Sequence, residues 1–282
     1  ARIHRLQRLQ GQALSLIDAR MQVYRIPDQR GIETVVSALS RDPRVRLAQS
    51  NRRYLRQGEA RKTPTAALQY ALAKIGAPAA HEMSLGRGGV VAVIDSEIDA
   101  DHPDLQGVVE KSYDAVGGAK HVPDGHGTAV AGIISGRGTV RGVAPQSRVL
   151  AVRAFYATGK GKQAETNSAV LLRAIDWAVV NGANVLNMSF AGPRDPAVHL
   201  MLQAAHARDT VIVGAAGNGG SKATPAYPAA YPEVVAVTAI DQADRRYVHA
   251  NRGSYIAISA PGVDILAPAE GGSHAFLSGT SF

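Results

Sequence analysis

Residues 90–95 read Val-Val-Ala-Val-Ile-Asp, five apolar residues closed by a carboxylate. A run that is apolar at every position is typical of a strand in a parallel sheet whose two faces are both covered by helices. Similar apolar runs recur along the chain at 149–155, 185–190, 211–214, 234–240 and 256–260. Predicted helices at 167–180 and 195–208 lie between them, and each begins with an Asn or Asp that can cap it. This alternation predicts an α/β fold built on a doubly wound parallel sheet.

Four polar residues stand near the expected carboxyl ends of these strands, where the chemistry of such sheets is located: Asp95, His126, Asn218 and Ser281. Each has a structural interpretation. Asp95 can cap the turn after its strand, and His126 can be a buried structural residue. Asn218 can be a turn residue, and Ser281 can be a helix N-cap. Each can equally face an active-site cleft, and taken singly the residues leave both interpretations open.

The composition excludes several classes of protein. A 282-residue chain that is 45% hydrophobic can bury a large core, which excludes wholesale disorder. The absence of cysteine excludes disulfide scaffolds, thiolate metal sites and cysteine nucleophiles. No stretch approaches the roughly 20 apolar residues of a membrane-spanning helix. No Gly-x-Ser-x-Gly elbow occurs either, which excludes the α/β-hydrolase type of serine nucleophile.

The charge is divided unevenly along the chain. Residues 1–62 have a net charge of +9 and residues 63–282 a net charge of −1. The basic pI of about 9.9 is therefore a property of one end, which argues for two modules rather than for a nucleic-acid-binding protein. For the first module the sequence predicts a strand, a helix, a basic extended segment and a polar linker, at 21–26, 31–40, 44–54 and 57–66.

Taken together, the order and setting of the four polar residues resemble the subtilisin-like serine proteases, the subtilases (peptidase family S8). The motifs that carry the resemblance are VAVIDS at 91–96, HPDL at 102–105, GHGT at 125–128, VAG at 130–132, GVAP at 142–145, NMS at 187–189, AAGN at 215–218, APG at 260–262 and SGTS at 278–281. They follow the family's order over residues 68–282. The GHGT and SGTS motifs, around His126 and Ser281, are highly specific.

The resemblance implies a serine endopeptidase that hydrolyses peptide bonds through an acyl-enzyme intermediate. Ser281 would be the nucleophile, His126 the general base, and Asp95 the carboxylate that orients the imidazole. Asn218 would donate a hydrogen bond to the oxyanion, alongside the backbone N–H of Ser281. We expect this reaction to need no cofactor.

The resemblance also places the substrate as an added strand against edge segments of the protease. The substrate-binding residues that it implies are Ser189, Phe190, Ala191, Gly192, Ala215, Ala216, Gly217, Gly159 and Gly161. The first seven would wall the primary specificity pocket, and Gly159 and Gly161 would flank the substrate further upstream. Because small residues dominate the pocket walls, we expect an apolar side chain at the P1 position.

Residues 1–62 resemble the second half of a subtilase inhibitory propeptide, through VYRIPD at 23–28, the helix at 31–40 and DPRV at 42–45. The expected partners are therefore polypeptide substrates and this propeptide, which would block the cleft until it is cut in or near 57–66. We expect residues 63–282 to form the protease domain. A subtilase with a propeptide is usually exported, so a secreted or cell-envelope location is expected.

Three features depart from the family's pattern. Glu97 stands where the family has Gly, so we expect either a strained positive φ or repulsion with Asp95. The loop at 136–141 is short where calcium-binding relatives have a longer one, so we expect weak calcium binding or none. The part of the protease domain beyond the serine motif is absent, so Ser281 is expected on a frayed terminus and this piece is expected to be inactive.

Two other functions stay open at this stage. A catalytically inactive, subtilase-like binding protein is consistent with Glu97 and with the end of the chain. Nucleic-acid binding through the basic module is expected to be weak and nonspecific, and its mark would be an affinity that falls steeply with salt. The sequence favours the peptidase over both.

Overall fold

The computed structural model describes residues 5–56, 59–61, 69–118, 125–156 and 164–282. Its N-terminal part begins with an antiparallel hairpin of β1 (Gln7–Leu14) and β2 (Ala19–Arg25), followed by α1 (Ile32–Ser40). The predicted strand and helix at 21–26 and 31–40 are thus confirmed.

Of the predicted extended segment at 44–54, only Arg53 and Tyr54 lie in a regular strand. Regular structure resumes only at β3 (Arg53–Arg56), and β4 (Glu59–Arg61) follows it. The partner of β2 is β1, which precedes it, because the short turn between them lets the two strands pair as a hairpin. The predicted strand, helix and second strand occur in that order as β2, α1 and the short β3, and β1 precedes them.

The remaining helices are α2 (Tyr70–Lys74), α3 (Ala77–Met83), α4 (His126–Ser135), α5 (Ser168–Val180) and α6 (Pro196–His206). The remaining strands are β5 (Val90–Asp95), β6 (Val109–Asp114), β7 (Arg148–Arg153), β8 (Glu165–Asn167), β9 (Val185–Met188), β10 (Phe190–Ala191), β11 (Val211–Ala215), β12 (Val234–Ile240), β13 (Ile258–Pro261), β14 (Ile265–Ala269) and β15 (Ser273–Ser278).

Seven parallel strands form the central sheet, in the order β13-β12-β11-β9-β5-β7-β6. Every residue of β5 is buried. Ala92 and Ile94 belong to the core cluster that contains α5 and α6, whereas Val91 and Val93 pack with α4. Alternate side chains of one strand thus meet helices on opposite faces, and the predicted parallel α/β sheet is confirmed. The edge strand β6 is mostly exposed and has no apolar run that could have predicted it.

The two predicted helix caps are also confirmed. The Asn167 side chain accepts the backbone N–H of Val170 at 3.2 Å at the start of α5. The Asp195 side chain accepts the N–H groups of Ala197 and Val198 at 3.0 and 3.1 Å at the start of α6. Such caps contribute about 1 kcal/mol each, because they satisfy donors that the helix itself leaves without partners.

Two small antiparallel sheets stand beside the central one, and both include a strand from the N-terminal part. β3 lies between β10 and β8, and β4 pairs with β15, which forms a hairpin with β14. The sequence did not predict these pairings. They bring residues 53–56 and 59–61 next to β10 and β15, the strands that lead from Ser189 and toward Ser281.

Within the part of the chain that the structure describes, we find no helix that is both long and apolar enough to span a membrane.

Candidate active site

Asp95 and His126 form a buried pair at the end of β5 and the beginning of α4. Oδ1 of Asp95 lies 2.7 Å from Nδ1 of His126, and the two residues are 1% and 4% exposed. The backbone N–H of Ser96 donates to the same carboxylate oxygen at 2.7 Å. A neutral imidazole whose Nδ1–H faces a carboxylate has its basic lone pair on Nε2, so the pair can act as an oriented proton acceptor.

Small residues allow α4 to approach β5 this closely. A Cβ atom on Gly127 would lie 2.6 Å from the carbonyl oxygen of Ser96, a distance that only glycine avoids. The Gly127 N–H donates to the Ser96 hydroxyl at 3.0 Å, and the Gly125 N–H donates to Oε1 of Glu270 at 3.0 Å. Ser96 and Glu270 therefore hold the helix that presents His126, although the sequence analysis had not singled them out.

Ser281 lies beside Ser189, at the edge of the pocket wall predicted from the sequence. The Ser281 hydroxyl donates to the carbonyl of Ser189 at 3.1 Å, and the Ser189 hydroxyl donates to the carbonyl of Ser281 at 3.2 Å. Phe282 packs against the His126 ring, with the ring centroids 5.1 Å apart. Contacts on both sides thus hold Ser281, in contrast to the expected frayed position.

Asn218 is linked to the serine segment through Thr280. Its side-chain oxygen accepts the backbone N–H of Thr280 at 3.1 Å and the Thr280 hydroxyl at 3.0 Å. The same hydroxyl accepts the backbone N–H of Gly217 at 3.1 Å. The structure therefore joins the AAGN and SGTS motifs directly, and Thr280 is a contact that the sequence analysis had not identified.

Glu97 does not behave as expected. Its side chain is exposed, whereas Asp95 is almost fully buried. In the described part of the chain, positive φ outside glycine occurs at Arg5, Asp18, Asp209, Asp244 and Asp264, and Glu97 is not among them. The turn after β5 accommodates a side chain here without left-handed backbone, so the prediction of strain is wrong.

The residues predicted to wall the specificity pocket follow β9 and β11, which are neighbours in the central sheet. Ser189 leads into β10, which ends at Ala191, while Ala215 ends β11 and Ala216 is fully buried. Gly217 has φ +101°, and a Cβ there would lie 2.5 Å from the Asn251 side chain, so this position requires glycine.

Gly159 and Gly161, predicted to flank the substrate further upstream, lie outside the described residues. The next described strand along the chain is β8 (Glu165–Asn167), which pairs with β3 on the side opposite β10. β8 was not predictable from the sequence, because a strand of three residues has too few positions to show a period.

Tyr54, in β3, fills a pocket between these strands. Its residue exposure is 0%, and its ring meets Phe190 edge to face at a centroid distance of 5.9 Å. A Cβ atom on Gly192 would lie 2.3 Å from the Tyr54 ring, so the ring occupies space that only glycine leaves open. Burial, reinforced by the negative charge of Asp195, raises the pKa of Tyr54 well above its ordinary value.

The segment that leads to Tyr54 also reaches the ends of two helices. The Gln49 side chain donates to Asp195 at 2.6 Å and accepts the N–H of Ala197 at 3.0 Å at the start of α6. Asn51 accepts the N–H of Ala169 at 3.1 Å at the start of α5. The N-terminal part therefore adds to the caps of both helices and is fastened to the body by specific hydrogen bonds.

The surroundings of Asp104 do not fit a calcium ion. Its carboxylate oxygens face N–H donors from the loop at 139–140 and from a histidine, whereas calcium requires six to eight oxygen ligands. Among the residues that the structure describes, no group of three or more His, Asp or Glu side chains is arranged to hold a metal.

Comparisons with known proteins identify the family of the chain. Residues 86–282 match the model of the "Subtilase family". The chain belongs to the subtilase family. This subtilase is 38% identical over 229 residues to "Subtilisin" of Bacillus pumilus, covering 75% of this chain and 78% of that protein. It is 35% identical over 258 residues to "Thermophilic serine proteinase" of Bacillus sp. (strain AK1), covering 89% of this chain and 63% of that protein.

A third relative is "Subtilisin E" of Bacillus subtilis (strain 168), to which the subtilase is 35% identical over 266 residues, or 88% of its own length. The chain spans just under two thirds of the length of this relative and of the thermophilic proteinase, at 65% and 63%.

Proposed function

We propose that this subtilase is a serine endopeptidase that cleaves polypeptides through an acyl-enzyme intermediate. The observation that carries the proposal is the buried 2.7 Å hydrogen bond between Asp95 and His126. It fixes the imidazole with Nε2 as the basic nitrogen. Ser281 and Asn218 stand at the same edge of the sheet, and Phe282 packs the serine segment against His126.

In the first half of the reaction, Ser281 Oγ attacks the carbonyl carbon of the scissile bond while His126 Nε2 accepts its proton. For this step the Ser281 O–H turns from the Ser189 carbonyl toward Nε2. The Asn218 amide and the Ser281 backbone N–H stabilise the oxyanion, and Asp95 stabilises the imidazolium. His126 then protonates the leaving amine. In the second half, water attacks the acyl-enzyme with the same base, and the carboxylic acid product leaves.

We also propose that residues 53–61 of the chain lie in the substrate cleft. β3 pairs with β10 immediately after Ser189, and β4 pairs with β15, which leads into Ser281. Three peptide bonds join Arg56 to Glu59. We propose that the middle one, between residues 57 and 58, is the bond that is cut, and that residues 1–57 act as an inhibitory propeptide until they dissociate.

Three further points belong to this proposal. We expect calcium to have no role at Asp104, because N–H donors face its carboxylate. The small residues of the pocket walls favour an apolar P1 side chain. The membership in the subtilase family favours action outside the cell or in the cell envelope.

An active-site-directed fluorophosphonate tests the nucleophile. We expect it to label the protein once on Ser281, and we expect Ser281→Ala to abolish labelling while Ser221→Ala, at an exposed serine, leaves it intact. Labelling that persists in Ser281→Ala would overturn the proposed nucleophile.

Intact-mass analysis tests the cleavage site. We expect the active chain to yield a fragment that ends at residue 57, and Ser281→Ala to stay whole. Cleavage at a bond outside 56–59 would reject the proposed position of the chain in the cleft, but it would leave the peptidase activity itself in place.

A further inference from the structure

A buried carboxylate and a histidine meet where β15 begins, outside the Asp95–His126 pair. Asp104 is 1% exposed, and its Oδ2 lies 2.8 Å from Nε2 of His274, whose side chain is 26% exposed. The carboxylate also accepts the backbone N–H groups of Thr139 at 2.7 Å and Val140 at 3.1 Å. The backbone N–H groups of residues 139 and 140 hold the Asp104 carboxylate in place. His274 therefore forms a hydrogen bond with a carboxylate whose position is already fixed.

A second histidine reinforces this attachment. Nδ1 of His102 accepts the backbone N–H of Asp104 at 3.1 Å, so its Nε2 carries the proton of the neutral ring. That Nε2–H donates to the carbonyl of Ser273 at 3.0 Å. The His102 and His274 rings pack edge to face, 5.5 Å between centroids. The first two residues of β15 are thereby tied to the segment that follows β5.

The position of β15 matters because it borders the leaving side of the cleft. Ser278 pairs with Glu59 and Phe276 pairs with Arg61, so the peptide beyond the proposed scissile bond is added to this strand. The small sheet has the order β14-β15-β4, so β15 becomes an edge strand when β4 is absent. On its other side β15 pairs with β14. The first residues of β15 are held by the hydrogen bonds of the two histidines.

We propose that the Asp104–His274 hydrogen bond holds β15 in register for the leaving side of peptide substrates, so that His274 is a positioning residue for this part of the cleft. The inference rests on the proposed peptidase function. The bond joins residues 170 positions apart in sequence, and removing it leaves a buried carboxylate with one donor fewer. His274 acts on the strand that pairs with substrate, and it does not touch the Asp95–His126 pair in the described structure.

Two substrates separate this role from a general loss of stability. One is a peptide that extends three residues beyond the scissile bond, and the other has the same upstream residues but ends in p-nitroanilide. We expect His274→Phe, which keeps a ring but removes the donor, to lower kcat/KM about tenfold for the extended peptide, mostly through KM. For the p-nitroanilide substrate, kcat/KM should change less than about twofold, since this substrate has no residues that can pair with β15. His274→Gln, which restores an N–H donor, should recover most of the loss.

His206→Phe provides a matched control at an exposed histidine in the last turn of α6. Equal losses for both substrates in His274→Phe, or no loss for the extended peptide, would overturn the proposal.

A measurement without turnover keeps the proposal separate from the peptidase function. In Ser281→Ala protein, hydrogen exchange at residues 276–278 should be faster with His274→Phe than without it, while exchange in β5 stays unchanged. Unchanged protection in β15 would reject the positioning role even if no peptide is hydrolysed. Absence of hydrolysis in the parent protein would reject only the proposed function.

Discussion

Thr280 donates two hydrogen bonds to the side-chain oxygen of Asn218, one from its backbone N–H and one from its hydroxyl. A backbone N–H can only donate, so the Asn218 atom that faces it must be the oxygen. The NH₂ group of Asn218 is therefore directed away from Thr280. The proposed oxyanion role requires the donor end of the amide to point away from Thr280, and the two hydrogen bonds set this orientation before any substrate arrives.

Replacing Asn218 with Ala should lower kcat by about 10²–10³ with little change in KM, the range known for this substitution in subtilisin itself. Thr280→Val removes the hydroxyl bonds to Asn218 and Gly217 but keeps the backbone N–H, so we expect a smaller loss of about tenfold. Thr280→Ser keeps a hydroxyl and should stay near the parent rate. Steady-state kinetics on one peptide measures all three, and a Thr280→Val rate equal to that of the parent would contradict this role.

Asp95→Asn should nearly abolish turnover while the fold persists. An amide N–H facing His126 Nδ1 would force the imidazole proton onto Nε2, which could then no longer accept the Ser281 proton. We expect kcat to fall by about 10⁴ at neutral pH. Asp101→Asn, at an exposed acid in the turn after β5, is the matched control and should retain full activity. A loss below about tenfold in Asp95→Asn would argue against the proposed base.

Gly192→Ala should remove the preference for an aromatic side chain at the position that Tyr54 occupies, the third residue before residue 57. The added Cβ would overlap the Tyr54 ring, which is fully buried. Burying an aromatic side chain contributes about 1.5–3 kcal/mol, so the Tyr-to-Ala ratio of kcat/KM should fall by about 10–100-fold. Peptides that differ only at this position provide the measurement, and an unchanged ratio would place the pocket elsewhere.

Tyr54→Phe should leave inhibition by the N-terminal segment as strong as before, or strengthen it. The Tyr54 hydroxyl is buried and makes no well-formed hydrogen bond with the described residues, so its attraction to Asp195 is offset by the cost of desolvating the hydroxyl. Tyr54→Ala, by contrast, should weaken inhibition, because the whole ring is lost from the pocket. The measurement is the inhibition constant of separately prepared residues 1–57, with each of the two substitutions. A large loss of inhibition with Tyr54→Phe would show that the hydroxyl forms a stabilising hydrogen bond.

Glu233 should contribute stability that disappears in acid. Burial alone would raise its pKa, but hydrogen bonds from its own backbone N–H, His199 and Gln203 hold the pKa below the ordinary 4.5. A carboxyl with a lowered folded-state pKa stabilises the protein above its unfolded pKa, and this contribution is lost as pH falls through the folded pKa. The Tm difference between parent and Glu233→Gln should therefore be full above about pH 5 and should shrink below 4.5. Glu82→Gln, at an exposed site, is the control. A difference that stays constant from pH 3 to about 6 would contradict the assignment.

The local sequence pattern was enough to predict the central parallel sheet and the helices that pack on it. β5 is a continuous apolar run up to Asp95, because a strand covered on both faces needs apolar side chains at every position. The caps Asn167 and Asp195 were also predictable, since each depends on residues within one turn. The motifs around His126 and Ser281 were enough to indicate the family.

Only the tertiary structure decided how the N-terminal part meets the cleft and how the site is supported. Tyr54 stands in a strand of four residues flanked by arginines, and its burial comes from strands more than a hundred residues away. The Asp104–His274 bond spans 170 residues, and Thr280 meets Asn218 across 62. Such contacts have no local period in the sequence, because they form only where the folded sheet brings distant strand ends to one edge.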